Sequence, residues 1–181
     1  MSNRALFASL RKRLQQLPQN IQTAHGLAVF REAVRNTPVF RPHPLDPDWY
    51  PKVVGGTARA GWQITFDSPL PIDESIDADT APKDENGDPT INKGLSVLLG
   101  VPGPRIVWIS NPVPWIVDLE YGTYPYPNKA PVKRVVRGGL SGRSSQAPHG
   151  IVRVAEEYGR RNFQSIARAQ FDRLFGPGRV A

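Results

Sequence analysis

The chain has 181 residues, with 23 Lys and Arg against 16 Asp and Glu, a net charge of +7 and 39% hydrophobic residues; that suits one domain, 1–181, around a core of modest size. It contains no cysteine, which excludes disulfides, thiolate catalysis and thiolate metal sites. It has no run of about 18 apolar residues to cross a bilayer, and its first residues show no apolar h-region of a signal peptide.

Leu6, Leu10, Leu14 and Leu17 form a helical stripe over residues 4–17, with Arg11, Lys12 and Arg13 off it. Pro18 is expected to end or interrupt this helix. A second helix is expected over 20–36, with Ala24, Leu27, Ala28, Phe30 and Val34 on its apolar side and Gly26 as a weak point. Asn36-Thr37-Pro38 ends it, because the residue before proline avoids the helical region. Residues 38–56 are rich in Pro and Gly and read as an extended loop. Trp62, Ile64 and Phe66 alternate with Gly61, Gln63 and Thr65, so residues 60–66 read as a half-buried strand.

Residues 67–90 read as an acidic, mobile excursion around Asn86-Gly87-Asp88-Pro89. A short helix follows over 90–99, with Ile91, Leu95, Leu98 and Leu99 clustered and Gly100 and Pro102 closing it. The run Arg105–Ser110 is β-branched and aromatic, the signature of a strand buried on both faces. Pro112–Tyr121 reads as a short helix stopped by Gly122, and residues 123–148 as a second Pro- and Gly-rich arm with a short strand over Pro131–Val136. The terminal helix spans about Gly150 to Phe175, with Val152, Ala155, Phe163, Ile166, Ala167, Phe171 and Leu174 on one side. Glu156–Arg160 and Glu157–Arg161 are i,i+4 pairs in the favourable order. The expected class is α+β: a small mixed sheet packed by N-terminal helices and a long C-terminal helix, with long Pro-rich arms.

Charge is divided unevenly. Residues 67–88 hold eight acids (Asp67, Asp73, Glu74, Asp77, Asp79, Asp84, Glu85, Asp88) against Lys83, whereas residues 129–181 hold eleven Lys and Arg against Glu156, Glu157 and Asp172. Four readings stay open: nucleic-acid contact, head-to-tail pairing of copies, an acidic partner, or a solvated surface. Lys129, Lys133, Arg134, Arg137 and Arg143 are the arm residues for DNA or an acidic partner.

Signs of chemistry are few. His25, His43 and His149 have no metal-ligand spacing. No serine sits in a Gly-x-Ser-x-Gly elbow, and no phosphate loop is present. Asp118 and Glu120 are two apart on a helix and face different sides. Asp84-Glu85-Asn86-Gly87-Asp88 lacks the register and closing Glu of a calcium loop and reads as a solvated loop. No catalytic residue, metal site or cofactor is expected.

Three blocks carry a resemblance. The first is Asn36-Thr37-Pro38-Val39 with Gly56-Thr57-Ala58-Arg59-Ala60-Gly61-Trp62. The second is Ser110-Asn111-Pro112-Val113-Pro114-Trp115 with Leu119-Glu120-Tyr121-Gly122. The third is Gln146-Ala147-Pro148-His149-Gly150-Ile151-Val152-Arg153. In this order they resemble the neck or tail-completion (head–tail joining) proteins of long-tailed bacteriophages. The sequence departs from the family's pattern by an insertion at 40–55, by Trp115 in place of Tyr, and by residues 123–145 between the second and third blocks.

The resemblance implies a non-enzymatic virion protein of the phage neck, made in the host cytoplasm. It implies a ring of copies, hexameric in the family, between the head connector and the tail, with head-closure and tail-terminator proteins as neighbours and packaged DNA close by. Trp115, Glu120, Tyr121, Gly122, Pro148, His149 and Arg153 are then expected at contacts. Trp49, Tyr50, Tyr124 and Tyr126 lie in the inserted arms, where aromatic residues among prolines suit partner anchoring. Trp62 and Trp108, in strands, are expected in the core. Glu120 has two readings: a partner of Arg153 or of a neighbouring subunit, or an exposed acid at a helix end. The alternative to the neck role is a basic nucleic-acid-binding accessory protein.

Overall fold

The computed structural model describes residues 3–39, 56–77, 80–121, 147 and 149–176. Its elements are α1 (Asn3–Asn36), α2 (Thr57–Ala60), β1 (Gln63–Thr65), α3 (Asp88–Gly100), β2 (Trp108–Ser110), α4 (Ile116–Tyr121) and α5 (Val152–Phe175). The class is α+β. Among the described residues the sheet has two antiparallel strands rather than a mixed set, with Gln63 opposite Ser110, Ile64 opposite Ile109 and Thr65 opposite Trp108.

The two expected N-terminal helices are one. Pro18 lies inside α1, where a proline removes a backbone hydrogen bond and costs about 3 kcal/mol. The helix continues because α5 lies along it on both sides of the proline. Arg13 donates to the Leu174 carbonyl at 3.0 Å, and His25 Nε2 meets the Gly159 carbonyl at 3.1 Å. Descending α1 thus ascends α5, so the two run in opposite directions. Gly159 allows the close approach: a Cβ there would lie 2.5 Å from a Val29 methyl.

The second half of α1 forms the floor of the core. Phe30 and Val34 are fully buried, with Ala33, Trp62, Ile64, Ile91, Leu98, Val113, Ile116, Leu119, Ile151 and Ala155 around them. The helix α3 crosses at Gly94, where the Phe30 ring sits 2.4 Å from the position a Cβ would take. Gly26 faces Leu98 and Val107 at ordinary contact distances. Thr37 ends α1, its N–H bonded to the Ala33 and Val34 carbonyls ahead of Pro38.

Several boundaries and faces differ from expectation. Residues 57–60 are a helical turn, so the strand expected over 60–66 is confined to 63–65; its alternation holds, with Trp62 and Ile64 buried. The strand expected over 105–110 is three residues long and is not buried on both faces. Ile106 is 69% and Trp108 37% exposed, so Trp108 is not a core residue. The reason lies in the register. Residues opposite one another share a face, so Ile109 lies with buried Ile64, and Trp108 lies with Thr65 on the other face. Helix α4 begins at Ile116 rather than Pro112. On α5, Ala155 and Gly159 are the buried residues, while Val152 and Phe163 of the expected apolar side are about half exposed. The strand expected over 131–136 and most of the two Pro-rich arms lie outside the described residues.

Candidate functional site

The three sequence blocks meet inside the fold through buried polar groups. At the end of α1 the Thr37 side chain is fully buried. Its hydroxyl donates to the Ala33 carbonyl at 2.7 Å and accepts the Trp62 indole N–H at 2.6 Å. The Thr37 carbonyl accepts Arg59 Nε at 3.2 Å and Nη2 at 2.6 Å, and Arg59 Nη1 donates to the Glu85 carbonyl. One threonine therefore ties α1 to the segment running from α2 into β1. Buried polar groups need such partners, because an unpaired one costs about 1–3 kcal/mol.

Asn111 joins the second block to the first. Its side-chain amide donates to the Ala58 carbonyl at 2.6 Å, and its oxygen accepts the Val113 N–H at 3.1 Å. The fit demands Gly61, since a Cβ there would lie 2.5 Å from the Asn111 oxygen.

Glu120 joins the second block to the third. It is only 5% exposed. One carboxylate oxygen accepts the Ile151 N–H and, at 2.9 Å, the Val152 N–H. The other accepts Arg153 Nε at 3.0 Å, while Arg153 Nη2 donates to the Glu120 carbonyl at 2.8 Å. Helix α5 has Ile151 at its cap, with no capping side chain of its own. Glu120 supplies the missing acceptor from α4, and its negative charge suits the positive end of the helix dipole. Gly150 makes the approach feasible. It has φ of 77°, and a Cβ would lie 2.6 Å from the Glu120 oxygen. Ala147, also buried, closes the turn by accepting the Gly150 N–H at 2.9 Å.

Asp84 plays a similar part for α3, whose cap residue Gly87 has no side chain. Its carboxylate accepts the Gly87 N–H at 2.6 Å, the Thr90 N–H at 2.9 Å and the Thr90 hydroxyl at 2.5 Å. Burial pushes this carboxyl up, but the hydrogen bonds from Thr90, Gly87 and Asn86 outweigh it and hold the pKa below the ordinary value of 3.8. Asp84 is 5% exposed, which corrects its reading as part of a solvated loop. Its N–H also bonds the Gly56 carbonyl at 3.3 Å, anchoring the excursion to the first block.

The expected site residues separate into three groups. Glu120 and Arg153 are brought together, so the Arg153 pairing is the reading of Glu120 that the structure favours over an exposed helix-end acid. Trp115 is half-buried against the core, and His149 is exposed in the turn before Gly150. Tyr121 closes α4, but its side chain is outside the described ones, as are Trp49, Tyr50, Gly122, Tyr124, Tyr126, Pro148, Lys129, Lys133, Arg134, Arg137 and Arg143. Among the described residues no group of three or more His, Asp or Glu is placed to hold a metal ion, and no helix is long and apolar enough to cross a membrane. His25 lies in the seam of α1 and α5, edge-on to Phe163 at 5.2 Å.

Sequence reasoning missed Asp84 and Asn111 as organisers. For Asp84 a signal existed: an acid a few residues ahead of Asp88-Pro89, a helix-opening pair. For Asn111 there was none, since its partner carbonyl is 53 residues away. Comparison with family models, with curated proteins and with solved structures gives no match.

Proposed function

We propose that this chain is a non-enzymatic structural subunit of the phage neck, a tail-completion or head–tail joining protein that works as a ring between head connector and tail. The observation that carries this reading is the convergence of the three blocks. Residues that resemble the neck family in sequence, and are separated by as many as 53 positions, bond to one another through Thr37–Trp62, Asn111–Ala58 and Glu120–Ile151–Arg153. An accidental likeness of short runs would not be expected to select interdependent buried contacts.

The chemistry of the buried acids supports a structural role. Asp84 and Glu120 are occupied in holding helix starts, their oxygens taken up by the N–H groups of Gly87, Thr90, Ile151 and Val152. Partner contact is then assigned to exposed surface and to the inserted arms with Trp49, Tyr50, Tyr124 and Tyr126, where the prolines reduce the entropy lost on docking. Deleting the gene from its phage tests the reading: full heads and separate, unattached tails in micrographs are expected, with the protein found at the neck of intact virions. Normal joined virions without the protein would overturn it.

A further inference from the structure

Among the described residues, the helix pair α1–α5 has no third layer at its far end. From Arg4 to Pro18 only Leu10 and Leu17 are half-buried, and every other residue is exposed. Leu6, Phe7 and Leu14 are 51%, 69% and 57% exposed on this stretch. Toward the N-terminus, Gln19 donates to the Val101 carbonyl, and Arg13 then reaches the end of α5 at Leu174. Beyond that point α1 projects as an apolar stripe on a single helix, and a segment of this length is marginal in water without a packed face.

The charge on this projection has one sign. Residues 3–17 contain Arg4, Arg11, Lys12 and Arg13 and no acid. The same molecule carries the opposite surface. Residues 67–77 are exposed at Asp67, Asp73 and Glu74, with Ile72 40% exposed among them. This acidic strap is held in place: the Leu70 N–H bonds the Ser110 hydroxyl at 3.1 Å, and the Asp73 N–H bonds the Pro112 carbonyl at 2.8 Å. A fixed strap loses less entropy on docking than a free one.

We propose that the basic, apolar projection of α1 in one copy docks on the acidic strap 67–77 of the next, forming a head-to-tail contact. The inference rests on the ring reading of the neck subunit and names the surfaces that close the ring. Two different patches meet, so the contact is heterologous, the kind that builds a ring when the rotation between copies closes. Opposite charge steers the copies together, and burial of Leu6, Phe7 and Ile72 supplies the apolar contact.

A charge swap tests the proposal. One variant carries Arg4→Glu, Arg11→Glu and Lys12→Glu; the other carries Asp67→Lys and Glu74→Lys. Sedimentation at low salt should show the unaltered protein as an oligomer larger than a dimer. Each variant alone should fall to the 20.0 kDa of a single chain. The equimolar mixture should return to the oligomer, because each reversed surface then finds its complement; an unfolded variant would not be restored in this way. A monomeric unaltered protein, a variant that still assembles alone, or a mixture that stays monomeric would overturn the proposal. So would loss of duplex DNA binding in the first variant with self-association unchanged, which would assign the projection to nucleic acid. Assembly unaffected by either variant would overturn this pairing and leave the neck role standing. Absence of the protein from virions would overturn the neck role and leave the self-contact standing.

Discussion

The two halves of α1 share a helix but not a fate. After residue 20 the helix lies under α3 and α5, and Phe30 and Val34 are fully buried. Before residue 18, Leu6, Phe7 and Leu14 are exposed, Phe7 at 69%, and Leu10 and Leu17 are only half-buried. The comparison teaches that periodicity marks which face of a helix is apolar and says nothing of whether anything covers it. The covered half belongs to a framework bound by buried threonine, asparagine, aspartate and glutamate side chains, whereas among the described residues the uncovered half is tied only by the exposed bond from Arg13 to Leu174.

The contrast is sharpest in one substitution made twice. Phe30→Ala should cost about 3–5 kcal/mol through lost burial and a cavity, while Phe7→Ala should change the stability of the single chain by less than about 0.5 kcal/mol, as for other surface positions. Urea denaturation of dilute protein measures both, and equal losses would break the distinction. Next in size is Glu120→Ala, which strands the Ile151 and Val152 N–H groups and the Arg153 guanidinium. A loss of about 2–4 kcal/mol is expected, with faster amide exchange at the start of α5. Glu120→Gln, which keeps an acceptor, should cost less.

The smallest effect is in the response to acid. The Asp84 pKa is lower in the folded chain than its ordinary 3.8, so the unfolded chain binds the proton more readily. Its contribution to stability is therefore complete above the unfolded value and is lost as pH falls through the folded one. Thermal unfolding followed downward from pH 5 should show this decline, and Asp84→Asn should flatten it. An unchanged acid slope in that variant would remove Asp84 from the account. The projecting half of α1, with no acid, should contribute nothing to this slope.

Local sequence was a good guide where structure depends on neighbours. The alternation of Trp62 and Ile64, the short helix expected over 90–99 and found from Asp88 to Gly100, and the long terminal helix could all be read locally, because period and end signals act over a few residues. It was a poor guide where a distant element intervenes. Pro18 marked a break that α5 bridges, and Trp108 had the composition of a core residue but fell on the uncovered face of a two-stranded sheet. The site was legible in part: the resemblance drew attention to Glu120 and Arg153, while Asp84 looked like one more acid in a charged loop.

The amino-acid sequence by itself determined the α+β class, the acidic and basic division of the chain and the absence of thiol chemistry, since these follow from composition and short-range pattern. Only the tertiary structure decided which polar groups are buried and whom they satisfy: Thr37 by Trp62, Ala58 by Asn111, the start of α5 by Glu120. The Asn111 and Glu120 pairings depend on close approaches at Gly61 and Gly150, and Gly94 and Gly159 in the same way let α3 and α5 reach α1. Whether an apolar stripe is core or surface depends in the same way on what packs over it.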